Sequence, residues 1–163
     1  MQIVQAVLED AEALLSLQRL AYQSEASLYQ DWRIPPLTQT LSDLRKEFSQ
    51  ATILKAVLDS TIIGSVRATE QDGVVSIGRL IVHPAQQRRG IGRRLMTAIE
   101  SRYPQARLYE LFTGSLSQGN IHFYQELGYT ISHTKVLSNK VTLVFLRKVS
   151  PVYRNLPAPG RNQ

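Results

Sequence analysis

Apolar positions open with a short run, Ile3 to Val7, and then recur at helical spacing through Leu14, Leu17, Leu20 and Ala21. The pattern predicts a strand followed by a helix from Asp10 to Gln23, with Glu9 and Asp10 at the end where the helix dipole favours acids. The periodicity lapses from Tyr22 to Pro36, and Pro35-Pro36 lacks the N–H groups that a helix interior needs, so an irregular stretch is expected. Leu41, Leu44 and Phe48 share one face of a second helix over Thr40–Phe48. Three β-rich runs follow, 52–58, 62–69 and 74–82. They are separated by Asp59-Ser60 and by Asp72-Gly73, a strong two-residue hairpin signal, and read as an antiparallel meander. Ile91, Leu95, Ala98 and Ile99 form the stripe of a helix ending near Tyr103, before Pro104. A strand over 108–113, a helix over 120–127 stopped by Gly128, and strands over 129–134 and 141–149 complete the pattern.

This alternation places the chain in the α/β (α+β) class, with no internal repeat and one domain over residues 1–149. Residues 150–163 hold three of the seven prolines and no apolar period, and are expected to form a flexible C-terminal tail.

Composition narrows the chemistry. A chain of 163 residues suits a single domain with a sizeable core. The absence of cysteine removes disulfides, thiolate metal sites and thiol nucleophiles, and fits a cytoplasmic location. His83, His122 and His133 have no metal-ligand spacing with carboxylates, so no metal is expected. No apolar run is long enough to span a bilayer, and the N-terminus lacks the features of a signal peptide, so no membrane partner is expected. The net charge of +6 suits an anionic ligand, but no aromatic–basic alternation marks a stacking surface, and no nucleic-acid partner is expected.

The densest positive charge sits in Gln86-Gln-Arg-Arg-Gly-Ile-Gly-Arg-Arg-Leu-Met96, between a strand and a helix. A glycine-rich entry into a helix leaves backbone N–H groups free, and these attract an anion together with the helix dipole. Arginines nearby add forked donors that match phosphate oxygens. A plain turn with solvated arginines fits the same residues. The P-loop pattern is absent, and Gly90-Ile-Gly92-Arg-Arg-Leu95 lacks the third glycine of the dinucleotide fingerprint.

Residues 79–96, RLIVHPAQQRRGIGRRLM, resemble the coenzyme A signature of the GNAT superfamily of N-acetyltransferases, whose Gln/Arg-x-x-Gly-x-Gly/Ala core is matched by Gln87 to Gly92. A second stretch, Asn120-Ile-His-Phe-Tyr124-Gln-Glu-Leu-Gly128-Tyr129, is similar to the family's other landmark. The resemblance covers about residues 2–149 and implies a mixed central sheet of about seven strands flanked by about four helices. It implies that acetyl-CoA lies between strands 4 and 5, along Leu80, Ile81 and Val82. Its pyrophosphate would rest on Gln87, Arg88, Arg89, Gly90, Ile91, Gly92 and Arg93, with Asn120 and Tyr124 beside the cofactor. Arg88, Arg89 or Arg94 would serve the ribose phosphate.

The implied activity is acetyl transfer to the primary amine of a small-molecule or peptide acceptor. Tyr124 would return a proton to sulfur, and an N–H near Val82 would steady the developing oxyanion. Packing on the core is the simpler role for Tyr124, and helix capping for Asn120. Some relatives carry a glutamate base on the strand before the signature, but Val74-Val-Ser-Ile-Gly-Arg79 has no carboxylate. Glu110 is the nearest substitute, Glu70 the next, and a water chain a third route. The resemblance places the acceptor against the loop after the first helix, with Tyr22, Tyr29, Trp32 and Arg33 as lining candidates. A homodimer is a family habit. A non-catalytic CoA-binding or sensing module on the same fold is the alternative.

Overall fold

The computed structural model describes residues 1–155. One mixed sheet of seven strands runs through the molecule in the order β1-β2-β3-β4-β5-β7-β6. The strands are β1 (Gln2–Gln5), β2 (Thr52–Leu58), β3 (Thr61–Gln71), β4 (Val74–Val82), β5 (Leu108–Gly114), β6 (Thr130–Val136) and β7 (Thr142–Val149). Every pairing is antiparallel except β4 with β5. The predicted meander is present, and Asp72 and Gly73 turn it with both φ angles positive, 52° and 79°.

Alternation along the strands sorts side chains to two faces. Leu54 and Ala56 of β2 join the larger core, whereas Ile53, next to Leu54, joins the smaller one. The larger core is closed by α5 (Ile91–Ser101), whose Ile91, Leu95, Met96 and Ile99 are buried. Each such side chain contributes about 1.5–3 kcal/mol by leaving water. The helix α6 (Gln118–Glu126) adds Ile121 to the same core. On the opposite face, α1 (Ala11–Ala21) packs Leu14 and Leu15 against Leu44 of α4 (Leu41–Glu47) and Ile53.

The stretch expected to be irregular holds two further helices, α2 (Gln23–Tyr29) and α3 (Pro35–Thr38). Pro35 opens α3 at a position where a missing N–H costs nothing, so the proline pair starts a helix instead of forbidding one. Helix α2 buries Ala26 and Tyr29 and ends at Gln30, whose φ is 51°. The helical layers are therefore cut into more and shorter pieces than the four expected. Beyond β7, α7 (Pro151–Arg154) is capped by the Ser150 side chain. Most of the expected flexible tail, residues 156–163, lies outside the described residues. Among the described residues, no helix is long and apolar enough to cross a membrane.

Two irregularities in the sheet create an opening. β4 and β5 pair only at Val74–Leu108, Val75–Tyr109 and Ser76–Glu110. Beyond Ser76 the two strands separate. On its other side, β4 carries one extra residue against β3, because Ser65 faces Ile81 and Arg67 faces Gly78. A bulge of this kind bends its strand, and here it bends β4 away from β5.

Candidate active site

The gap between β4 and β5 is a cavity of about 450 Å³. Leu80, Ile81 and Val82 form its β4 wall, and Gln87 stands at its mouth. Because this edge of β4 has lost its β5 neighbour, its backbone groups are free to bond an extended arm laid along it. The side chain of Ile81 is buried in the core, so backbone is what this residue offers.

At the mouth, the N–H groups of residues 87–93 find no acceptor among the described residues; the first helical bond outside the α5 ladder is Arg94 N–H to the Gly90 carbonyl, 3.1 Å. Gly90 has a φ of 77°, and a Cβ there would meet nothing within 4 Å. The cradle is open, left-handed at its turning point and rich in bare donors, which fits a pyrophosphate. Arg88 also has a positive φ, 62°. The side chains of Arg88, Arg89 and Arg94 are exposed, whereas that of Ile91 is buried in the core and contributes only backbone to the cradle. The Arg93 guanidinium leans toward Glu126 of α6, at 3.8 Å.

Tyr124 lines the cavity, with its ring edge-on to Phe123 and Tyr129. Burial pushes its phenol well above the usual range, and the nearby Tyr22 and Glu25 add to the shift. The hydroxyl therefore keeps its proton at neutral pH. Tyr129 differs in that it donates to Glu100 Oε1 at 2.7 Å.

The carboxylate expected as a base on β5, Glu110, stands outside the cavity lining, paired with Arg147 Nε at 2.8 Å across the β5–β7 ladder. Glu110 still pairs with Ser76, where β4 and β5 have not yet separated, so it stands short of the gap that Leu111, Phe112 and Thr113 line. Glu70, also outside that lining, is exposed at the far end of β3. The carboxylate that does line the cavity is Glu25, on the helix missing from the sequence reading. Ser117 donates to its Oε2 at 2.8 Å and Asn120 to its Oε1 at 3.2 Å. The Tyr29 hydroxyl lies 2.7 Å from Ser117 and accepts from the Leu116 N–H at 3.0 Å. These contacts clamp α2 onto the β5–α6 connection. Asn120 thus holds the carboxylate, and also reaches Thr113 at 3.3 Å.

Of the proposed acceptor residues, Tyr22 and Tyr29 line the cavity. Trp32 and Arg33 do not; they sit in the turn after α2, and Trp32 is 52% exposed. Arg79, unnoticed in the sequence, also lines the cavity and lies beside the Tyr22 phenol. Burial raises the pKa of that phenol, and the Arg79 guanidinium draws it partly back. A sequence signal for α2 existed: Tyr22, Glu25 and Tyr29 recur at i, i+3 and i+7, one face of a helix.

Comparison with known proteins decides the family. The family model described as Acetyltransferase (GNAT) family matches residues 5–129. The chain belongs to the GNAT acetyltransferase family. Among solved structures, it is similar to the PaiA N-acetyltransferase of Thermoplasma acidophilum in complex with coenzyme A (TM-score 0.78, 19% identity, 91% of this chain and 98% of that one). It is likewise similar to YncA, a putative acetyltransferase of Salmonella typhimurium with acetyl-CoA (0.73, 18%, 98% of each chain). A third similar structure is the ribosomal-protein-alanine N-acetyltransferase of Brucella melitensis (0.73, 16%, 92% and 100%). No curated protein matches this chain. At these identities the structural likeness speaks for the fold, a seven-strand mixed sheet with flanking helices that matches the GNAT fold.

Proposed function

We propose that this GNAT protein transfers the acetyl group of acetyl-CoA to a small primary amine by direct attack. The observation that carries the reading is the composition of one cavity. A ring of bare N–H groups stands at its mouth, and a carboxylate and a protonated phenol stand inside. Acetyl-CoA is the donor substrate and supplies the thioester. Residues 87–93 hold its pyrophosphate, and the free edge of β4 at Leu80 and Val82 holds the pantetheine arm.

Glu25 accepts the proton that the amine nitrogen sheds, oriented by Ser117 and Asn120. The C–N bond forms as the C–S bond breaks, and Tyr124 gives its proton to the departing sulfur. The phenol can serve that role because burial keeps it protonated at neutral pH, ready to donate as negative charge gathers on the sulfur, and the phenolate, a stronger base than the thiolate, is then re-protonated from Glu25. A proton returned from Glu25 to the Tyr124 oxygen restores both groups, so the overall exchange is amine and thioester for amide and thiol.

The test is titration calorimetry with acetyl-CoA, followed by thiol release with a panel of amines. Binding at micromolar concentration and amine-dependent thiol release are expected. Absence of binding at high micromolar acetyl-CoA removes the reading. Binding without release for any amine leaves a coenzyme A-binding module.

A further inference from the structure

We infer that the acceptor is a small amine that also bears a carboxylate, an amino-acid-type zwitterion gripped by Arg79 at its acid end and facing Glu25 at its amine end. The inference rests on the acetyl-transfer reading and names the substrate class of the same site.

The cavity lining contains two ionic side chains among the described residues, one of each sign: Glu25 and Arg79. Neither is ion-paired among the described residues, with each other or with anything else. Arg79 also walls a smaller cavity of about 280 Å³, but there Glu47 is already taken by Arg67, at 2.5 Å. The Arg79 Nε is buried and has no hydrogen-bond partner. A buried N–H donor left this way is costly until an acceptor arrives, and a carboxylate can meet the guanidinium fork with two parallel bonds.

The backbone points the same way. Arg79 occupies the bulge of β4 with a φ of 50°, a conformation that glycine adopts freely and other residues adopt at a cost. The bulge therefore aims an arginine into the gap at a position where glycine would be easier. Tyr22 lies close to both charges: the Arg79 guanidinium, in reach of its hydroxyl, lowers the phenol's pKa and Glu25 raises it. The remaining wall offers Ile34, Phe112 and Leu137, an apolar seat for an amino-acid side chain. A polyamine finds one carboxylate in the lining and meets the like charge of Arg79 at the same time.

The test uses acetyl-CoA and matched acceptors: methionine against 3-(methylthio)propylamine, phenylalanine against phenethylamine, and spermidine. The wild-type protein is expected to favour each amino acid over its decarboxylated partner by about tenfold or more in kcat/KM, the worth of a charge-assisted hydrogen-bond pair. Arg79→Gly suits the positive φ and is expected to retain the melting temperature. It should raise the KM for the amino acids by about tenfold to a hundredfold. The KM for acetyl-CoA should not change, and those for the decarboxylated amines should hold or fall. Arg79→Lys should restore part of the preference. Equal or better turnover of the decarboxylated amines or of spermidine by the wild-type protein overturns the inference and leaves acetyl transfer standing. So does an Arg79→Gly variant that slows both members of each pair alike. No turnover of any amine overturns acetyl transfer, and this inference with it.

Discussion

At the scale of single residues, the site depends on which groups hold protons and which are already engaged. Tyr124 is protonated because burial disfavours its phenolate, and Glu25 is the acid turned into the cavity. Tyr124→Phe removes the proposed proton donor and little else, because the ring contacts with Phe123 and Tyr129 survive. Its kcat is expected to fall about a hundredfold or more, the usual worth of a positioned acid, with acetyl-CoA affinity within twofold of wild type by calorimetry. Glu25→Gln should lower kcat on a similar scale. Glu110→Gln serves as the contrast: it loses a partly exposed ion pair worth about 0–1 kcal/mol and should keep full activity. Activity lost with Glu110→Gln and retained with Glu25→Gln returns the base to β5. The sequence drew attention to Glu110 as the nearest acid on the next strand, whereas the point at which β4 and β5 separate leaves it outside the gap.

At the scale of elements, α2 is the piece that brings Glu25 and Tyr29 to the cavity, and it is held in place by contact with a distant turn. A Cβ at Gly114 would overlap the Tyr29 hydroxyl, so the last residue of β5 is glycine for lack of room. Gly114→Ala forces the phenol out of its contacts with Ser117 and Leu116, which loosens the partners of Glu25. Destabilisation of about 1–3 kcal/mol is expected from urea unfolding, as for other overpacked sites. The kcat should drop, while acetyl-CoA affinity stays near wild type because the β4 edge and the α5 mouth are untouched. Local periodicity reveals β4 and α5 clearly, since each buries a regular stripe against the same core. It conceals α2 and α3, which are short and meet their partners through Ala26, Tyr29 and Pro36 instead of a leucine stripe.

At the scale of the whole molecule, the tyrosines set the alkaline limit of stability. Tyr22, Tyr124 and Tyr129 all have raised pKa values, mainly through burial, with Glu100 adding to Tyr129. In the unfolded chain they ionise near pH 10, while the folded protein keeps their protons. The stability they contribute is therefore complete below about pH 10 and is lost as pH rises beyond it. Melting temperatures measured from pH 8 to 11 should hold and then fall past about pH 10, and Tyr129→Phe should make the fall shallower. A flat profile across that window contradicts the burial of these phenols. The sequence by itself determined the strand and helix order, the glycine mouth of α5 and the place of Tyr124, because each is written in neighbouring residues or in a short periodic pattern. Only the tertiary structure decided that Glu25 and Arg79 share the cavity while Glu110, Trp32 and Arg33 stand outside it. Those positions depend on a bulge, a strand separation and a clamp between residues about 90 apart in the chain, and such long-range geometry leaves no local mark.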